Sequence, residues 1–109
     1  MTGAVVEIVH LVLVEWAPHT TATDLNHVRT IARGMAGSIP GIIRLDEGPS
    51  VSPEGLELHL DYGLVITFAD SVARDAYLPH AAHQVLVEQF RHLAARVVVF
   101  DLAASQPAP

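Results

Sequence analysis

The run Val5-Val6-Glu7-Ile8-Val9-His10-Leu11-Val12-Leu13-Val14-Glu15-Trp16 constrains the fold more than any other part of the chain. Both alternating sets of positions are aliphatic through its middle, the pattern of a central strand covered on both faces. The chain offers little to cover it with. At 109 residues it makes one domain, residues 1–109, with one small core, here taken as residues 5–103 followed by a short fraying tail at 104–109.

The remaining elements can be read by period and punctuation. After Ala17-Pro18-His19-Thr20, Thr21 with Asp24 three residues on resembles a capping box, and a helix is expected to about Gly37. Its apolar stripe is Leu25, Val28, Ile31, Ala32 and Met35. Ser38-Ile39-Pro40-Gly41 stops it, and Ile42 to Gly48 is a half-polar strand suited to a sheet edge. Pro49 to Gly55 reads as a loop. From Leu56 to Phe68 every second residue is large and apolar, which predicts one long strand. Asp70 or Ser71 can cap a short helix through Tyr77, Leu78-Pro79 interrupts it, and a further helix with Pro79 in its first turn continues to about Leu93. Arg96 to Leu102 is the last strand.

The order βαββαβ with right-handed crossovers gives an α+β, ferredoxin-like antiparallel sheet with its helices on one face, the first and third strands central. The apolar first strand then has one face that no helix can cover. A second copy packed sheet to sheet would cover it, which predicts a homodimer and a dimeric α+β barrel.

Composition narrows the partners. A net charge of −6, from twelve acidic residues against six arginines and no lysine, repels phosphate backbones and anionic lipid, so no nucleic acid and no membrane is expected. Without cysteine there is no disulfide, thiolate nucleophile or thiolate metal site. Met1-Thr2-Gly3-Ala4 lacks the positive start of a secretory signal, and no apolar run approaches the roughly 18 residues that span a bilayer, so a cytoplasmic protein is expected.

Four polar groups should converge between sheet and helices. His10 lies midway along the first strand, Tyr62 on the apolar face of the third, Tyr77 at the helix break, and His83 on the inner face of the last helix with Leu86, Val87 and Phe90. Near neutral pH an imidazole can take or give a proton, and a phenol can donate a hydrogen bond. His80 and His83 also form a two-imidazole pair, but the nearest further ligands, His10 and Asp61, have no characteristic spacing, so no metal is expected. The glycines make no phosphate-binding motif, no serine sits in a nucleophile elbow, and the carboxylates do not pair.

Four segments in order, the His-containing strand Val9 to Trp16 with Pro18, the Ile39-Pro40-Gly41 turn, Asp61 to Phe68, and Tyr77-Leu78-Pro79-His80-Ala81-Ala82-His83, resemble the stress-responsive A/B barrel (Dabb) family of dimeric α+β barrels. The resemblance covers residues 5 to about 103. It implies, by analogy with the polyketide cyclases of that family, His83 as the catalytic base, Tyr77 as its assistant and His10 on the pocket wall. Two departures stand out. Tyr62 occupies a position where the cyclases carry His, and the usual His-Pro-Ala-His reads His80-Ala81-Ala82-His83 with the proline moved to position 79.

The expectation is therefore a small enzyme that needs no cofactor and closes a ring in a poly-β-keto substrate by an intramolecular aldol reaction. His83 and Tyr77 would be catalytic, and His10, Tyr62, Leu86, Val87 and Phe90 would bind the substrate. Two alternatives share the scaffold: a non-enzymatic stress-associated dimer holding a small apolar ligand, and a cofactor-independent monooxygenase or isomerase.

Overall fold

The computed structural model describes residues 5–104; of the tail expected to fray at 104–109, Ala104 is instead tied by its amide to the Glu7 carbonyl, and 105–109, like the reading of Met1 to Ala4, lie outside the described residues. The elements run β1 (Ile8–Trp16), α1 (Ala22–Ser38), β2 (Ile42–Pro49), β3 (Tyr62–Phe68), α2 (Ser71–Tyr77), α3 (Ala81–Leu93) and β4 (Ala94–Ala103). They form one antiparallel sheet of order β2-β3-β1-β4, with β1 and β3 central as the pattern of apolar residues requires.

All helices lie on one face. The even-numbered residues of β1 and β3 point to them, and Val12, Val14, Tyr62, Leu64, Ile66 and Phe68 are buried there. From α1 come Val28, Ala32 and Met35, spaced four and three apart on one side of the helix, and from α3 come Leu86 and Leu93. Thr21 and Asp24 close the expected capping box, the Thr21 hydroxyl accepting from the Asp24 amide and the Asp24 carboxylate from the Thr21 amide.

The opposite face carries no helix. The register sets Val9 beside Leu102, Leu11 beside Phe100 and Val65, and Leu13 beside Val98, so an apolar band crosses β3, β1 and β4. Phe100 is 61% exposed on it.

Two expectations fail for physical reasons. The long strand expected over Leu56–Phe68 begins only at Tyr62. Tyr62 pairs with Val14 on one side and with Pro49 on the other, and Pro49 has no N–H to extend the ladder. Residues 50–61 form a loop in which the Leu60 amide donates to the Glu57 carbonyl and Leu58 and His59 adopt left-handed backbone angles, φ 54° and 70°. Its alternating leucines do not pair in a sheet, and Leu56 and Leu58 are exposed. Pro79 also sits outside α3. His80 is the N-cap, its Nδ1 accepting from the Ala82 amide at 3.0 Å, and Leu78 keeps helical angles at the end of α2 despite preceding a proline.

Candidate active site

A cavity of about 410 Å³ opens on the helix side of the sheet, between β1, β4 and α3. At one end His10 from β1, Tyr77 from the end of α2 and His83 from the first turns of α3 come together. Strand alternation delivers His10, helix spacing delivers His83 on the same side as Leu86, and the break at Leu78-Pro79 lets α2 and α3 present Tyr77 and His83 to each other. Beyond them the wall is apolar: Val12, Leu86, Val87 and Phe90, with Val97 and Val99 on β4. Val97 and Val99 are 41% and 57% exposed because β4 is an edge strand that α3 does not roof over, and this side is the entrance.

The polar groups are individually fixed. The His83 Nδ1 lies 2.9 Å from the Leu78 carbonyl. A carbonyl only accepts, so Nδ1 carries the hydrogen and Nε2 the lone pair of the neutral ring. Gln84 donates to the same carbonyl at 2.7 Å, so the turn at Leu78 is held by side chains where the helix has lost its backbone bonds. Burial lowers the His83 pKa, His10 adds to the shift, and the Leu78 bond opposes it. The ring is therefore neutral at physiological pH.

Tyr77 packs on His83 with ring centroids 4.1 Å apart, and edge-on to His10 at 5.4 Å. It is fully buried, and its hydroxyl has no hydrogen-bond partner among the described residues. Burial first, and the Asp101 charge second, raise its pKa, so it stays a protonated donor. Leaving such a hydroxyl unpaired costs about 1–3 kcal/mol, which a ligand acceptor recovers only if the surrounding side chains shift to open a path to it.

The sequence reading missed the group behind His10. Register pairs His10 with Asp101 across 91 residues, and His10 Nδ1 lies 2.5 Å from the Asp101 carboxylate. Arg74 of α2 donates to the other carboxylate oxygen. Burial works against the Asp101 charge, but the bonds from His10 and Arg74 outweigh it and hold its pKa below the usual range. An ionised carboxylate on Nδ1 leaves the His10 Nε2 as the second free ring nitrogen of the wall. A lone Asp in the otherwise apolar Val97 to Leu102 was the available sequence signal.

Tyr62 does not line this cavity. It shares the buried face with His10 but sits opposite Val14, farther along β1, and its hydroxyl donates to Glu47 at 2.9 Å. Glu47 also accepts from Arg29 and Arg33 at 2.7–3.1 Å. Burial disfavours the Glu47 charge, yet these bonds prevail and hold its pKa low. The alternation of β3 predicted the face correctly and said nothing about the distance along it.

His80 and His83 do not form a metal pair. Their Nδ1 atoms serve the Ala82 amide and the Leu78 carbonyl, and no group of three metal-ligating side chains gathers among the described residues.

The model of the Dabb family, described as the stress responsive A/B barrel domain, matches residues 8–104. No curated protein matches the chain in sequence. Among solved structures, a dimeric ferredoxin-like protein of unknown function from Jannaschia sp. CCS1 is 27% identical, with a TM-score of 0.79 over 88% of this chain and 97% of that one. A Dabb family protein with a ferredoxin-like fold from Mesorhizobium loti is 18% identical, with a TM-score of 0.76 over 93% and 99%. A hydroxynitrile lyase from Passiflora edulis is 11% identical, with a TM-score of 0.84 over 94% and 97%. The last two likenesses show a shared fold. No helix among the described residues is long and apolar enough to cross a membrane.

Proposed function

The chain belongs to the stress-responsive A/B barrel domain family, and from that membership and the cavity we propose a cofactor-independent acid–base enzyme that closes a ring in a poly-β-keto substrate by an intramolecular aldol reaction. The observation that carries this reading is the buried, unpaired Tyr77 hydroxyl stacked on a neutral His83 in the wall of an apolar cavity. A donor and a base side by side in an apolar recess suit a reaction that moves a proton off carbon and builds negative charge on oxygen.

In this mechanism His83 Nε2 takes a proton from a carbon between two carbonyls. The enolate carbon attacks a distal carbonyl of the same molecule, forming the ring bond as that C=O π bond opens to an alkoxide. The His83 imidazolium returns the proton to the alkoxide, and the base is regenerated. Tyr77 donates a hydrogen bond to the oxygen on which charge develops; its raised pKa means that it polarises this oxygen without losing its proton. His10, oriented by Asp101, lies against Tyr77 and offers its Nε2 to a substrate hydroxyl or enol. Leu86, Val87 and Phe90 hold the hydrocarbon part.

We further propose that the working form is a cytoplasmic homodimer joined through the open sheet face. That reading rests on the apolar band around Leu11 and Phe100 and on the dimeric state given for the Jannaschia relative. One rival reading is favoured by a specific feature. Because the entrance is lined by exposed valines, the same cavity would suit a carrier of small apolar molecules.

Incubation with poly-β-keto thioesters, followed by mass spectrometry for a cyclised product, either isomeric with the substrate or lighter by one water lost after ring closure, separates the two. The enzyme reading predicts such a product with wild-type protein and its loss in His83→Ala, with the oligomeric state kept. Tight binding of these compounds with no turnover would favour the carrier, and full activity in His83→Ala would remove His83 from the mechanism.

A further inference from the structure

The cavity has two chemically different ends, and one side chain of its wall takes no part in the proposed mechanism. His10 and Tyr77 at the inner end are 3% and 0% exposed. Along α3, His83, Val87 and Arg91 follow one another four residues apart with Leu86 and Phe90 beside them, and all five line the cavity. Arg91 ends this stripe on the open side. Its side chain is 66% exposed, which puts the guanidinium at the mouth. Along the helix, Arg91 stands about 12 Å beyond His83 at the helical rise.

The charge around the cavity is one-sided. Among the described residues, Arg91 is the one arginine on the wall, and neither Asp nor Glu lines it. Asp101 lies behind His10, engaged with that ring and with Arg74. Glu88 accepts from Arg91 at 2.6 Å, but it is off the wall and is shared with His92 at 3.0 Å. That contact uses one terminal nitrogen of a guanidinium that carries five N–H donors, and exposed pairs of this kind are weak. In a chain of net charge −6, a cation at the rim of an apolar recess with no acid on its wall is a local exception.

We propose that Arg91 anchors an anionic group, a carboxylate or a phosphate, at one end of the ligand while the carbonyl end lies at His83 and Tyr77. The site then selects a keto chain with an acidic terminus over a neutral one. This inference rests on the reading of the cavity as the ligand site. A planar guanidinium pairs with either anion through two parallel N–H bonds, and Leu86, Val87 and Phe90 suit the hydrocarbon between the two ends. Were Arg91 only laying its methylene stem along the wall, loss of its charge would leave the binding of acids unchanged.

Calorimetric titration of the full-length protein at neutral pH with three series of straight-chain methyl ketones tests the anchor without requiring the true substrate. One series is neutral, one ends in a carboxylate and one in a phosphate monoester. Once the chain spans from His83 to Arg91, wild type should bind ketones of at least one acidic series about fivefold more tightly than neutral ones of equal length, the gain of a rim ion pair. The series that shows the gain names the acidic group, and chains too short to span should not show it. Arg91→Met, which keeps an apolar stem and loses the charge, should erase the gain. Glu88→Gln, which removes the competing acid, should enlarge it. Equal affinities for neutral and acidic ketones, a gain independent of chain length, or a gain that survives Arg91→Met overturns the anchor and leaves the ligand site standing. Failure of wild type to bind any of these ketones overturns the ligand-site reading and the anchor with it.

Discussion

On the proposed mechanism two side chains, His83 and Tyr77, determine what the cavity does, and both are set by burial and local contacts. His83 is neutral because its charged form is poorly solvated, and its tautomer follows from the Leu78 carbonyl. On the proposed mechanism the base must be unprotonated, so activity falls as pH drops through the His83 pKa. A lowered pKa puts the acid limb of the kcat/KM profile below the ordinary imidazole value of about 6.5. A limb at or above that value would assign the base to another group. The stability linkage has the same direction: a histidine with a depressed folded pKa binds more protons unfolded, so its contribution opposes folding as pH falls below the unfolded value. His10, Tyr77 and His83 could be found in the sequence because strand and helix periods give the direction in which a side chain points. Asp101 stood out only as a lone acid in an apolar strand, because its partnership with His10 depends on the register between the two ends of the chain. Tyr62 was assigned to the right face and the wrong neighbourhood, since the pleat fixes which face a residue occupies and leaves its neighbours to the pairing of strands.

Among the elements, those with chemical stops were the ones that sequence located well. The capping box starts α1 as expected, and Gly41 ends the turn after it with φ +90°. That glycine is required twice over. A Cβ at position 41 would lie 2.5 Å from the Ala73 Cβ of α2, and the left-handed backbone itself costs a non-glycine residue about 1–2 kcal/mol. Gly41→Ala should therefore lower the urea midpoint by more than the backbone strain alone would. Adding Ala73→Gly should recover the steric part and leave the strain; a double variant no more stable than the single one would mean that the contact is unimportant. The loop at 50–61 shows the converse. Its leucines alternate as a strand would, but a strand needs partners, and β1 and β2 both end their pairing with β3 at Tyr62. Local pattern cannot report where a neighbour stops.

For the molecule as a whole, the bare sheet face follows from arithmetic visible in the chain: one strand apolar on both faces, and helices for only one of them. Phe100, Leu11 and Val65 lie together on the open side, away from the cavity. If the homodimer forms there, Phe100→Glu buries charge at its centre and should yield monomers in sedimentation velocity, whereas a persistent dimer would place the interface elsewhere. A dimer formed there would lie on the face opposite the site, so the chemistry can be tested on its own. The most direct measurement is the exchange of the C2 hydrogens of a β-keto ester for deuterium in heavy water, followed by proton NMR. Proton removal from such a carbon is the first step assigned to His83. Wild-type protein should accelerate the exchange over buffer, Tyr77→Phe should reduce the acceleration, and His83→Ala should abolish it. Equal rates for wild type, His83→Ala and buffer would contradict an acid–base role for this cavity.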